Sequence, residues 1–144
     1  MKKLLSLLIL SGFVINASAQ KLDAKDVPAP VTDAFNTAYP STKDADWKKD
    51  GKYYTVEYDV NKLHNAVTYD INGGLVATDE GLPVLNLPKC VADYVRLKYP
   101  HNKIKKASKM TDADHIVSYS AKVDEQRLRF DVACKLLSAE KASD

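Results

Sequence analysis

Apolar and polar positions along this chain follow two periods, and the pattern is written twice. Val31, Ala34, Phe35 and Ala38 recur at i, i+3, i+4 and i+7, one face of a helix of about 12 residues. Pro28 stands at its first position, where a missing N–H costs nothing, and Pro40 closes it because the residue before a proline avoids the α region. The period then falls to two. Tyr54, Val56 and Tyr58 face one way and Thr55, Glu57 and Asp59 the other, while Val67 and Tyr69 alternate with Thr68 and Asp70. Asp50-Gly51, residues 61–65 and the Asp70-Ile71-Asn72-Gly73-Gly74 run are turn signals. The predicted strands are 45–49, 54–59, 67–70 and 75–78.

The second half copies the plan. Val91, Tyr94 and Val95 form a helical stripe between Pro88 and Pro100, with Lys98 breaking its last position. Strands follow at 103–110, 116–121, 126–132 and 135–137. Val117, Tyr119, Leu128, Phe130 and Val132 form the expected buried set, and Arg127, Arg129 and Asp131 face outward. Val27-Pro28 with Tyr39-Pro40 returns as Leu87-Pro88 with Tyr99-Pro100 at an offset of 60. Val67-Thr68-Tyr69-Asp70 returns as Leu128-Arg129-Phe130-Asp131 at an offset of 61.

These elements predict an α+β fold: a tandem repeat of one helix packed on a four-stranded antiparallel sheet, α-β-β-β-β twice. The expected division is a leader at 1–19, a first repeat at 20–80, a linker at 81–86 and a second repeat at 87–144. A unit of about 60 residues buries too little surface to be secure alone, so the halves are expected to share a sheet or an interface.

The first 19 residues change the compartment. Lys2-Lys3, an apolar run from Leu4 to Val14 and Ala17-Ser18-Ala19 read as a cleavable signal peptide, with Gln20 as the mature start. The apolar run is shorter than the roughly 20 residues that cross a bilayer, and no cysteine lies near the cleavage point to take a lipid. A periplasmic or secreted protein without a transmembrane segment is expected. Cleavage also removes two lysines from 21 basic and 19 acidic residues, leaving a net charge of zero. Nucleic-acid binding leaves a basic surplus, so that partner class is set aside. Export permits a disulfide between Cys90 and Cys134, the first in the opening turn of the second helix and the second in the last hairpin turn. Spacing alone leaves bonded and free thiols both open.

No catalytic motif appears, and no cofactor is expected. His64, His101 and His115 share no metal-ligand spacing and fall in or beside loops. Asp70-x-Asn72-Gly73 begins like a calcium loop but lacks the remaining ligands in register, and reads better as a hairpin turn. Asp112/Asp114 and Asp44/Asp46 read as solvated turn carboxylates. A nucleophile elbow and a phosphate loop are both missing. The expectation is therefore not an enzyme. If the helices cover one sheet face, the other carries Tyr53, Thr55, Glu57, Arg127 and Arg129, with Trp47 assigned there too. Tyrosine, tryptophan and arginine dominate binding hot spots.

Val27-Pro28, Phe35, Tyr39-Pro40, Trp47, Gly51-Lys52-Tyr53 and the Asp70-x-Asn72-Gly73 turn resemble the PepSY-like, β-lactamase-inhibitor-like family of secreted proteins from gut Bacteroidetes. The resemblance covers 27–78 and 87–138. The second copy departs from it, lacking the tryptophan and reading Asp131-Val132-Ala133-Cys134 at the turn. The resemblance implies a periplasmic protein with helix-on-sheet units in tandem; it transfers no inhibitory residue. The functional expectation is a non-catalytic exported module that binds an unknown protein or peptide, an exported hydrolase among the candidates. The alternative is a carrier of a small ligand or metal, with its site between the repeats or in the Asp70 turn.

Overall fold

The structure, a computed structural model, describes residues 19–142. The expected signal peptide lies outside the described residues apart from its last position. Among those residues, nine strands and two α-helices follow in order: β1 Gln20–Leu22, α1 Ala29–Ala38, β2 Asp46–Asp50, β3 Tyr53–Val60, β4 Leu63–Tyr69, β5 Leu75–Leu82, α2 Lys89–Lys98, β6 Ile104–Asp112, β7 Val117–Val123, β8 Gln126–Asp131 and β9 Leu136–Lys141. A 3-10 turn precedes each helix, at Ala24–Asp26 and Val84–Asn86.

All nine strands lie side by side in sequence order, and every neighbour is antiparallel. The α+β class is as expected, but the two four-stranded sheets are replaced by one larger sheet. Two features enlarge it. Residues 20–22, expected as a polar lead-in, pair with Trp47, Lys48 and Lys49 and add an edge strand. Strand β5 also runs past residue 78, and Ala77 to Leu82 pair with Asp112 to Ala107 of β6. Residues 81–82 of the expected linker are therefore strand, and 84–86 are a 3-10 turn.

Both helices begin directly after a proline, Pro28 and Pro88, and each ends in a Tyr-Pro step. Each lays an apolar stripe on a separate core cluster. Val31 and Phe35 of α1 join Trp47, Tyr54, Val56, Tyr58, Val67 and Tyr69. Val91 and Val95 of α2 join Ala107, Ala121, Val123, Leu128 and Phe130. Fully burying one such side chain contributes about 1.5–3 kcal/mol before entropy is counted. Burial also raises the phenol pKa of Tyr58 and Tyr69, the latter to about 12, with Tyr39 beside both adding to the effect. Both stay neutral at physiological pH.

Three hairpins share one turn chemistry. Asp70 Oδ1 accepts the backbone N–H groups of Asn72 and Gly74 at 2.8 and 2.9 Å. Asp112 Oδ1 takes those of Asp114 and Ile116 at 3.0 and 2.9 Å, and Asp131 Oδ1 takes that of Lys135 at 2.9 Å. The fourth residue of each turn, Gly73, His115 or Cys134, has positive φ. A short carboxylate that bonds its own backbone is what aspartate supplies in turns. Val132, expected inside, falls in the third of these turns and is 67% exposed, because the strand stops at Asp131.

Candidate functional site

Residues directly opposite one another in a sheet share a face, which sorts every strand position. Trp47 lies opposite Val56, so it belongs with the helices, not on the free face. It is only 5% exposed and meets Phe35 edge-on at 5.5 Å. Its assignment to a binding surface is thereby corrected: a two-residue turn after Asp50 puts position 47 in register with the buried side of β3.

The remaining candidates do lie on the helix-free face. One row runs across it from β3 to β8: Glu57, Ala66, Asp79, Met110, Ser118 and Asp131. A second includes Thr55 and Thr68, whose hydroxyls meet at 2.9 Å. A third holds Gly81, Ser108, Ser120 and Arg129. A fourth, along the far end of the second half, is Lys106, Lys122, Arg127 and Glu140.

Several of these groups are already engaged. Lys48 Nζ meets Glu57 at 2.8 Å. Arg129 Nε donates to Ser118 Oγ at 3.0 Å, and Ser118 is 2% exposed. Tyr53, by contrast, is exposed beside the β2–β3 turn, with the Lys52 ammonium 5.2 Å from its ring centre. His64 is not in a loop: the turn before it is only Asn61-Lys62, both at positive φ, and His64 sits on β4 with Nδ1 3.2 Å from Asp59 Oδ1.

The structure adds a group the sequence reading omitted. Asp79 stands at the middle of this face, largely buried, between Ala66 and Met110. The Ser108 hydroxyl donates to its carboxylate, while Oδ1 is buried without a partner. Burial holds its pKa above the ordinary aspartate value, against the opposing pull of Ser108, Arg127, His64 and Arg129. Ending β5 at residue 78 hid it; alternation continued from Ala77 would have placed it.

The regular β4–β5 ladder ends at the Ala66–Asp79 pair. Beyond it, Asn65 Oδ1 accepts the Gly81 N–H at 3.2 Å. Gly81 approaches β4 so closely that a Cβ would come 2.5 Å from the His64 carbonyl oxygen. Here a cavity of about 310 Å³ opens, its wall including Asp59, His64, Asp79, Ser108, Lys106 and Arg127.

The other sequence candidates are accounted for locally. Asp70 and Asp112 cap their own turns, and Asp46 pairs with Lys21 at 2.9 Å. No group of three or more metal-ligating side chains converges among the described residues. Cys90 and Cys134 are joined as a disulfide with Cα atoms 6.0 Å apart. No helix among the described residues is long and apolar enough to cross a membrane.

A family model described as "Putative beta-lactamase-inhibitor-like, PepSY-like" matches residues 13–77 and again 52–138. No curated protein matches the chain at a significant level. Several crystal structures share the fold. One, described among "putative periplasmic proteins" of Bacteroides eggerthii, superposes with a TM-score of 0.70 at 14% identity over 80% of this chain and 88% of that one. A DUF2874 family protein from Bacteroides ovatus gives 0.65 at 21% identity over 81% and 89%. A BLIP-like protein from Bacteroides fragilis gives 0.59 at 18% identity over 81% and 88%.

Proposed function

The chain belongs to the PepSY-like, β-lactamase-inhibitor-like family, and from that premise we propose that it is an exported, non-catalytic binding protein. Its ligand is a protein or peptide met by the helix-free sheet face and the hairpin tips beside it. An inhibitor of an exported hydrolase is one form this takes. We read residues 20–80 and 87–144 as copies of one ancestral unit, with the leader at 1–19 directing export to the periplasm or beyond.

The observation that supports the binding surface is a group of exposed apolar residues at one end of the sheet. In a meander, alternate turns fall at the same end of the sheet. The turns after β2, β4, β6 and β8 therefore share one rim. Tyr53, Ile71, Leu75, Ile116 and Val132 lie in or next to those turns and are all exposed. Large apolar side chains grouped on a rim are costly to leave in water and mark contact surfaces more often than chance.

The test is capture from native periplasm by the immobilised protein, followed by calorimetry with the purified partner. Replacing Tyr53 with alanine and Ile116 and Val132 with aspartate should abolish the heat of binding while leaving the thermal midpoint nearly unchanged. Undiminished binding by that triple variant would discard the rim and the adjoining face.

A further inference from the structure

The Cys90–Cys134 disulfide joins the first turn of α2 to the β8–β9 turn, and that turn does not depend on it. There the Cys134 N–H donates to the Asp131 carbonyl and the Asp131 N–H to that of Lys135, both at 3.0 Å. The turns at Asp70 and Asp112 make the same two bonds, through Gly73 and Gly74 and through His115 and Ile116, with no cysteine present. On the helix side, Leu87 and Val91 are buried in the second-half core and hold α2 to the sheet in their own right. The bond is also open to attack, since Cys90 is exposed and Cys134 only half-buried.

What α2 lacks at this end is a cap. Pro88 precedes it without a capping side chain, and no acid stands in its first turn. The second residue of α1 is Pro30, which has no N–H to satisfy; the second residue of α2 is Cys90, which has one. The opening N–H groups of a helix have no carbonyl partner within it, so this end favours negative charge. The adjacent charges are largely spoken for. Asp93, one turn on, has its two oxygens taken by Lys89 and Arg96, and Asp131 Oδ1 accepts the Lys135 N–H at 2.9 Å. The uncapped helix end is therefore the main positive feature that a Cys90 thiolate would meet. An exposed cysteine at a helix N-terminus is the kind that enters thiol–disulfide exchange.

We propose that Cys90–Cys134 is an exchange site for the dithiol of an exported redox protein, opened and reclosed while the rest of the fold stays intact. Access selects the sulfur that is attacked, and the stability of the departing thiolate selects the bond that breaks next. An external thiolate attacks Cys90 Sγ, the disulfide breaks, and Cys134 leaves with the electron pair. The second external thiolate then attacks the first external sulfur and releases Cys90 as a thiolate at the helix end. One disulfide is reduced and one dithiol oxidised by two electrons, and the dithiol's two protons pass through solvent to the released cysteines. This site does not depend on the partner-binding rim, and either can fail without the other.

The oxidised protein would be equilibrated at neutral pH with mixtures of reduced and oxidised glutathione, acid-quenched and mapped by mass spectrometry. Amide signals of the isotope-labelled chain would be read in parallel. The expected result is progressive, reversible reduction with β3 and β7 signals staying native, and with any glutathione adduct on Cys90. Free Cys90 in Cys134→Ala should react with iodoacetamide about fivefold faster, or more, than free Cys134 in Cys90→Ala. A bond that opens only after urea unfolds the chain is a structural tie alone and overturns the proposal. So do an adduct on Cys134 and equal alkylation of the two single-cysteine variants.

Discussion

The two halves of the sheet carry equivalent helices but hold them differently. In the first half, α1 rests on a crowd of aromatic rings: Phe35 meets Trp47 and Tyr58 at 5.5 Å and stacks on Tyr39 at 5.2 Å. In the second, α2 rests mainly on Ala107, Ala121, Val123 and Leu128, with the Tyr94–Phe130 pair, at 5.2 Å, as its aromatic contact. The difference continues at the hairpin turn below each helix. Gly73 presses so closely on α1 that a Cβ there would sit 2.4 Å from the Pro30 carbonyl oxygen. At the matching turn of the second half, Cys134 reaches Cys90 in the first turn of α2 and is bonded to it. One half uses close packing and rings; the other uses a smaller core and a covalent tie. A thin core with a crosslink and a thick core without one are two ways to the same end.

The sharpest way to break that contrast is in the aromatic half. Trp47→Ala should lower stability by about 3–5 kcal/mol, the range for emptying an aromatic site, as measured by urea unfolding. An effect below about 1 kcal/mol would show that the first-half core does not depend on its rings. Replacing both Cys90 and Cys134 with alanine should cost about 2–4 kcal/mol, since the crosslink closes a loop with a sequence separation of 44. Gly73→Ala should cost about 2 kcal/mol, because it combines backbone overlap at Pro30 with a φ of 80°. In the crosslink-free background, alanine and glycine at position 134 should differ by about 1 kcal/mol in favour of glycine, because Cys134 holds a φ of 64°. Equal stability of those two would mean the turn relaxes once the tie is gone.

The smallest expected effect concerns pH at the seam between the halves. Asp79 has a folded pKa raised above its unfolded value by burial. Within the window between the two values the folded protein holds more protons, so stability falls as pH rises through the raised pKa. Arg127, His64 and Arg129 act against that rise and Ser108 hydrogen-bonds the charged form, which keeps the slope shallow. Asp79→Asn should flatten the unfolding midpoint across that window.

Much of the fold could be read from periodicity, because a half-buried strand and a surface helix have different and visible repeats. The aromatic alternation of β3 and β4 and the stripes of both helices are found where expected. What periodicity does not carry is which strands become neighbours. Strands β5 and β6 each look complete within their own half, and their pairing across residues 83–103 creates the single sheet. Edge strand β1 is three residues long and polar, too short to show a period. Register, not composition, decides the side of the sheet on which Trp47 lies: counting across the Gly51-Lys52 turn puts it opposite Val56. The candidate face was legible for Tyr53, Thr55, Glu57, Arg127 and Arg129. Its centre was not, since Asp79 is an acid in a stretch that reads as loop, and burial of an acid is decided by strands distant in sequence.

The strictly sequential strand order also governs how fast the chain can reach its final shape. Six of the eight pairings join strands linked by a short turn, but two, β1 with β2 and β5 with β6, must close over a helix. Short closures are entropically cheap and quick, and the long ones set the pace. The seam of β5 and β6 is one of the two slow closures, so amides of Asp79 and Ser108 should gain exchange protection later than those of β3 and β4 in pulse-labelled refolding.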